Sequence, residues 1–406
     1  MMIFVACLVI FVYGMLSSLL GTIIPGLADE LRLSNSAIGY IALAQGAGLA
    51  GSSVFAGALI DRRGTKLGVI TGLGTTLTGL ILLVESSNLL SITLAMFVLG
   101  CGGSIVIVAA NAIASEVGDK RRAAALNFLN VFSGLGGVAT PFIAGNLLGA
   151  SPSKTGMAGF AATALVLLVA LLTPMSGAKQ HSGEGSRIKA GIFSSPSLYL
   201  LSTVTLLYTA CEFGIWNWLP KYLTATGMAR ANALTILSLG FACGLLTGRI
   251  AAMPILLRFS PLTITVASSL AMVVTTYWVV HPMSRGLTAI LVFITGLSMA
   301  PVFPTTVAII GKLFRAQSAT AIGFAITCGF SGLMLSSPVI GWLSGPGAQG
   351  IGHGLRLLPI CSLTICIILI FSRNIFRHEE EKGVAIGALA ESSTSAQSMS
   401  PVSSGT

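Results

Sequence analysis

The sequence predicts an all-α membrane protein in which twelve transmembrane helices form two pseudo-symmetric bundles of six. Three observations lead to this fold. Hydrophobic residues make up 54% of the 406 residues and charged residues only 8%, whereas about 25% of the residues in an average soluble protein are charged. Twelve apolar runs are each long enough to cross a bilayer, which takes about 20 residues. One long polar connection divides these runs six and six.

The twelve runs are predicted to be helices, because lipid offers no hydrogen-bond partner to a free backbone N–H or C=O group. The first run has no basic segment before it and no cleavage site after it, so we interpret it as a retained helix and not as a signal peptide. We number the runs α1 to α12, and their predicted bounds are 2–25, 36–60, 67–84, 90–114, 123–149, 156–175, 197–220, 231–257, 261–280, 286–310, 317–342 and 354–372.

The runs define the predicted domains. The tail is predicted to be disordered, because beyond its first residues it is rich in Ser, Ala and Gly and offers little for a core to bury. The predicted parts are an N-terminal six-helix bundle at 1–175, a cytoplasmic linker at 176–196, a C-terminal six-helix bundle at 197–372 and the tail at 373–406.

The two halves share a short repeat. The tetrapeptide Phe-Ser-Gly-Leu begins at Phe132 in α5 and at Phe330 in α11, and a proline follows each copy at Pro141 and Pro338. A membrane half that repeats parallel to itself is typical of transporters, whose site lies at the repeat interface near the middle of the membrane.

The basic residues predict the topology. The net charge of +10 does not indicate nucleic-acid binding, because Lys and Arg are scattered in short clusters between the apolar runs. Counted by alternate connections, sixteen of the 22 basic residues lie on one side and six on the other. The positive-inside rule then predicts a cytoplasmic membrane protein with both termini in the cytoplasm. This count assigns Arg249, near the end of α8, to a connection.

Motifs for other kinds of chemistry are missing from the sequence. The seven cysteines lie inside apolar runs without metal-ligand spacing, so we expect neither a metal site nor a disulfide framework. No phosphate loop of the Walker type occurs, which excludes ATP as the driver. No catalytic set is recognisable, so we expect no enzyme activity and no cofactor.

Glu212 is the acidic residue that lies deep inside an apolar run, whereas the other eleven lie in connections, at run ends or in the tail. A carboxylate at membrane depth costs several kcal/mol unless it is paired, protonated or hydrated, so such residues generally mark a pathway. We therefore expect Glu212 to bind a polar substrate, a proton or both. The alternative is a carboxyl group that holds two helices together.

Tyr208 and Trp216 lie one helical turn to either side of Glu212 in α7, so the three side chains share one face. An aromatic ring can cover the C–H face of a sugar, and a carboxylate can accept hydrogen bonds from its hydroxyls. The alternative for Trp216 is a place in the aromatic belt at the membrane surface.

Buried amides are further candidate ligands, because an amide both donates and accepts hydrogen bonds. Each could instead bridge two helices. The candidates are Gln45 in α2, Asn111 in α4, and Asn127 and Asn130 in α5, with Asn130 favoured.

Pro301 and Pro304 are predicted to bend or break α10. Because free backbone groups at membrane depth must face protein or a hydrated cavity, we expect Phe303 and Thr305 to lie near the pathway. A static kink is the alternative.

The connection between α2 and α3 contains the pattern Gly-x-x-x-Asp-Arg-x-Gly-x-Lys from Gly57 to Lys66. With twelve helices and a central linker, it resembles the major facilitator superfamily over residues 2–372. The resemblance implies the major facilitator fold and a conformational latch between the cytoplasmic ends of the two halves. It assigns that latch to Gly57, Asp61, Arg62, Gly64 and, in the second half, Arg258.

A narrower resemblance is to the fucose-permease-like sugar symporters, through Glu212 to Pro220, Leu126 to Gly136 and Pro301 to Thr305. It implies symport of a sugar with H+. The chain departs from such symporters because α1 has no acidic residue within its span and α4 offers only Asn111, with Glu116 at its edge. Proton coupling would then depend on Glu212, or transport would be uncoupled.

The expected function is secondary active transport of a small polar solute, a sugar in the first place, by alternating access. The expected partners are that solute, H+ and the lipid bilayer, with the chain acting as a monomer. One alternative is a drug or metabolite efflux antiporter, although Gly136 to Gly145 match the antiporter pattern only in part. A more distant alternative is a non-transporting membrane sensor, which would need a soluble output domain.

Overall fold

The computed structural model describes residues 2–115, 119–174, 190–281, 284–314 and 317–376. In these ranges, twelve helices are long and apolar enough to cross a membrane and no β-strand occurs. The predicted fold class is confirmed. The helices are α1 Met2–Glu30, α2 Asn35–Arg63, α3 Thr65–Val84, α4 Leu89–Ser115, α5 Asp119–Asn146, α6 Pro152–Leu172, α7 Pro196–Ala225, α8 Arg230–Leu256, α9 Pro261–Val279, α10 Arg285–Leu313, α11 Ser318–Leu343 and α12 Gly347–Phe371.

Two helices depart from regular geometry near the centre of the bundle. α8 contains a π-helical segment, Ile236–Ala242. α10 ends its first segment at Met299 and resumes at Val302, which confirms the predicted break. Pro304 lies in the first turn of the second segment, where a missing N–H has no cost.

The linker and the tail lie mostly outside the described residues. The end of the linker, Ala190–Ser194, forms a short 3-10 helix before α7. The disordered tail predicted from residue 373 was wrong for its first four residues, because 373–376 are helical and the Phe376 ring is buried. The remaining domain boundaries stay predictions.

The two halves use the same packing scheme. The contacts of α1 with α5, α2 with α4, α3 with α4 and α3 with α6 recur as α7 with α11, α8 with α10, α9 with α10 and α9 with α12. Glycines permit the closest of these contacts, because a Cβ on Gly14 would overlap the Ser133 carbonyl and one on Gly332 the Leu206 carbonyl. The repeated tetrapeptides in α5 and α11 therefore lie at equivalent helix contacts in the two halves.

The halves meet through α1 with α7, α2 with α11 and α5 with α8. We call the face with the α2–α3 connection and the start of α1 the basic face, and the other the opposite face. At the opposite face Arg230 forms an ion pair with Asp29. Asn35 donates to the Gly345 carbonyl at 2.8 Å and accepts from Lys221 at 2.7 Å. The bundle is therefore closed at the opposite face.

Candidate functional site

Glu212 has a partner that the sequence analysis missed. Its Oε1 lies 3.8 Å from Nη2 of Arg249, and the two side chains are 12% and 35% exposed. Arg249 lies inside α8, about two turns before the helix ends at Leu256. Its assignment to a connection was therefore wrong. The available signal was its position inside the predicted run 231–257, since an arginine at membrane depth is as costly as a carboxylate.

The ion pair borders a cavity of about 60 Å³ between the two halves. This volume corresponds to about two water molecules, so the site is constricted in this conformation. The lining residues are Gly14 and Ser17 of α1, Ser133, Gly134 and Gly137 of α5, Glu212 and Trp216 of α7, and Ala242, Leu245, Leu246 and Arg249 of α8.

Trp216 forms an aromatic wall of the cavity and is only 6% exposed. Its ring meets Phe241 edge to face, with 5.2 Å between centroids. A Cβ on Gly137 would lie 3.3 Å from the Trp216 ring, so the glycine gives the indole its space. The structure therefore places Trp216 inside the bundle, and the alternative of a belt residue was wrong.

Tyr208 and Tyr13 approach the ion pair from two helices. The buried Tyr208 hydroxyl interacts with both Glu212 and Arg249, although neither contact has the geometry of a full hydrogen bond. Its ring lies 6.1 Å from that of Phe303. Tyr13 of α1 interacts electrostatically with the same pair and was not anticipated, because an aromatic residue in an apolar run gives no signal of its own.

The π-helical segment of α8 adjoins the cavity and joins α8 to α5. Ser238 donates to the Val138 carbonyl at 2.6 Å, and Asn146 donates to the Thr235 hydroxyl at 3.0 Å. Single π-turns inside α-helices occur frequently at functional sites. This one contains Ser238, which contacts α5, and ends about two turns before Arg249.

None of the predicted amides whose side chains are described lines the cavity. Asn130 is exposed and lies one turn from Ser133, toward the basic face. Gln45 donates to the Leu16 carbonyl at 3.4 Å, which favours the helix-bridging alternative. Asn111 is exposed and does not line the cavity. The Asn127 side chain lies outside the described residues.

The two α10 candidates differ in position. Phe303 reaches the Tyr208 ring. Thr305 is buried, shares a 2.6 Å hydrogen bond with Thr265 and donates to the Pro301 carbonyl. It therefore packs α10 against α9 and does not line the cavity, contrary to expectation, because its hydroxyl finds partners in the adjacent helix.

The predicted latch is not engaged in this conformation. Asp61, Arg62 and Arg258 are exposed, and no ion pair within the described part of the chain links them. Gly57 has open space where a close contact was expected. Gly64 has φ +92° and ends α2 by donating to the Ile60 carbonyl, a geometry that only glycine readily adopts. The latch stays a prediction for the conformation that opens at the opposite face.

Two larger cavities lie away from the half–half interface, and a third, of about 240 Å³ and lined by Ser36, Tyr40, Pro338, Val339 and Trp342, lies where α2 meets α11. One of about 390 Å³ lies at the opposite face near Tyr222, His281 and Arg285, and one of about 490 Å³ is mostly apolar and lies among α8, α9 and α10. The smaller central cavity is the strongest candidate, because both halves line it and the Glu212–Arg249 ion pair borders it and none of the others.

The family model of the Major Facilitator Superfamily matches residues 6–337. The chain belongs to this superfamily. It is therefore a transporter and not an enzyme. No curated protein sequence matches it.

Solved structures agree with the fold. The nucleoside transporter NupG is 14% identical, with a TM-score of 0.74 over 92% of this chain and 99% of that one. The D-xylose-proton symporter is 12% identical, with a TM-score of 0.75 over 91% and 96%. A variant of the E. coli fucose:proton symporter FucP is 19% identical, with a TM-score of 0.62 over 91% and 98%. At these identities the likeness shows the major facilitator fold alone.

Proposed function

We propose that the protein is a secondary transporter for a small polyhydroxylated solute, a sugar in the first place, which it moves by alternating access. The observation on which this depends is the Glu212–Arg249 ion pair in a cavity lined by both halves. A site at the interface of the repeats can be exposed to each side of the membrane in turn as the halves rock.

The side chains of the cavity suit a neutral solute with hydroxyl groups. Glu212 accepts hydrogen bonds, Arg249 donates them, and the Ser17 and Ser133 hydroxyls can do both. The Trp216 ring offers an apolar surface for the C–H face of such a solute. The printed names of the structural relatives, two sugar–proton symporters and a nucleoside transporter, support the same class of substrate.

We assign the basic face to the cytoplasm, with both termini there, because most Lys and Arg residues lie in its connections. On that assignment the protein is closed toward the outside. The cavity of about 60 Å³ is smaller than a sugar, so binding requires α7 and α8 to move relative to α1 and α5. The π-segment of α8 and the break in α10 are the elements we propose to bend.

Proton coupling through Glu212 stays a prediction. A proton that binds Glu212 would break the ion pair and free the Arg249 guanidinium, which changes what the site offers to the solute. In proteoliposomes with a pH-sensitive dye inside, we expect the wild type to move protons when solute is added. Glu212→Gln should retain solute exchange and lose this proton movement, and proton movement that persists in the variant would contradict the role of Glu212.

Replacing Trp216 tests the substrate class. Purified protein in liposomes is assayed by counterflow with labelled sugars, nucleosides and lipophilic dyes. We expect exchange of a sugar, and we expect Trp216→Ala to raise the KM about fivefold to tenfold, because stacking on an aromatic ring contributes about 1 kcal/mol. Trp342→Ala is the matched control, since Trp342 is 79% exposed. Export of dyes without sugar exchange would support efflux instead.

A further inference from the structure

We propose that the Glu212–Arg249 ion pair makes this transporter selective for uncharged solutes. The inference rests on the proposed transport of a polyhydroxylated solute and concerns the charge that the solute is allowed. The carboxylate and the guanidinium have opposite charges and face one cavity, so the wall that they form has no net charge. The other residues that line the cavity are uncharged.

The geometry of the pair leaves room for a hydroxyl group. The separation of 3.8 Å between Nη2 and Oε1 exceeds the 2.7–3.2 Å of an N–H···O hydrogen bond, so neither group uses its full hydrogen-bonding capacity on the other. A solute hydroxyl between them can accept from Arg249 and donate to Glu212. Tyr208 does not line the cavity, so the pair itself supplies the acceptor and the charged donor for the solute.

A charged solute group cannot satisfy both members of the pair. A carboxylate would be attracted by Arg249 and repelled by Glu212, and an ammonium group would meet the reverse. The attraction and the repulsion largely cancel, so nothing offsets the cost of desolvating the solute charge, which is large enough to weaken binding about tenfold or more. Hydroxyl groups avoid this cost, so the pair accepts the neutral compound and excludes its acidic and basic derivatives.

Removing the negative charge of Glu212 should shift the selectivity toward anionic solutes. We would measure competition in counterflow by the neutral, uronic-acid and 2-amino forms of glucose, galactose and mannose. For the wild type, each neutral sugar that competes should do so about tenfold better than either derivative. Glu212→Gln leaves Arg249 unpaired, so the ratio of uronate to neutral-sugar affinity should rise about tenfold, with no gain for the amino sugar. The double variant Glu212→Gln/Arg249→Gln should lose that gain.

A second measurement does not depend on transport. Formate is a carboxylate small enough for a cavity of about 60 Å³, and it should raise the thermal midpoint of purified Glu212→Gln but not that of the wild type. Glu85→Gln, which removes an exposed carboxylate just beyond α3, is the matched control and should resemble the wild type in both assays.

Two results would overturn the inference. One is an equal change for neutral, acidic and amino sugars in Glu212→Gln, and the other is the absence of any formate effect on that variant. If the wild type exchanges no neutral sugar, the proposed function fails. The formate assay still tests whether an anion binds beside Arg249 once the negative charge of Glu212 has been removed.

Discussion

Arg249→Leu is expected to reduce solute exchange about tenfold to hundredfold and to destabilise the protein by about 2 kcal/mol. The loss of exchange follows from the removal of charge-assisted hydrogen bonds, which contribute about 1.5–3 kcal/mol each. The loss of stability follows because Glu212 is only 12% exposed and would retain an unpaired charge. Breaking a fully buried pair costs about 3–5 kcal/mol, and the partial exposure of Arg249 lowers that figure.

The measurements are counterflow and the thermal midpoint of the purified protein. Arg285→Leu removes an exposed arginine at the start of α10 and is the matched control, with an expected effect near zero. The double variant Glu212→Gln/Arg249→Leu should regain most of the stability, because no unpaired charge remains, while exchange stays low. An Arg249→Leu protein as stable and as active as the wild type would refute the importance of the pair.

Gly21→Ala is expected to reduce exchange about fivefold to hundredfold by disfavouring closure at the opposite face. Gly21 of α1 packs against the backbone of α7, and a Cβ at this position would overlap the Trp216 carbonyl oxygen. Because α1 and α7 belong to different halves, the overlap exists only while the halves are closed at this face. Overpacking of this kind costs about 1–3 kcal/mol, which is enough to shift a two-state equilibrium strongly toward the other conformation.

Closure can be measured by cross-linking. A double variant with Asp29→Cys and Arg230→Cys replaces an ion pair that joins the halves at the opposite face. The two new cysteines should cross-link in this parent protein but not when Gly21→Ala is also present. Gly14→Ala is the contrast, because its Cβ would overlap Ser133 within one half and should lower stability in every conformation. Gly51→Ala has open space and is the neutral control. Undiminished cross-linking in Gly21→Ala would contradict the prediction.

Much of the fold could be predicted because it depends on composition and length. Each of the twelve helices overlaps its predicted run, since a spanning segment must be apolar and must satisfy its own backbone. The ends were less predictable. α2 continues to Arg63 and α7 to Ala225, beyond the predicted 60 and 220, because helical hydrogen bonding continues into residues that no longer contact lipid.

The candidate site could be predicted in part, along single helices. The i+4 spacing in α7 predicted that Tyr208, Glu212 and Trp216 share a face, and Glu212 and Trp216 do line one cavity. The predictions for the amides were less successful, since Gln45 donates a hydrogen bond to the α1 backbone and Asn111 does not line the cavity. A polar side chain at membrane depth must find a partner, but its own sequence position does not indicate which helix provides it.

The sequence by itself determined that this protein lies in a membrane, has two six-helix halves and contains an acidic residue whose cost of burial demands an explanation. Only the tertiary structure decided that Arg249 of α8 pairs with this residue and that Tyr13 of α1 approaches the pair. The reason is physical. Helical periodicity determines the direction of a side chain relative to its own axis, whereas distances between helices depend on glycine contacts and on the π-helical segment that shifts the register of α8.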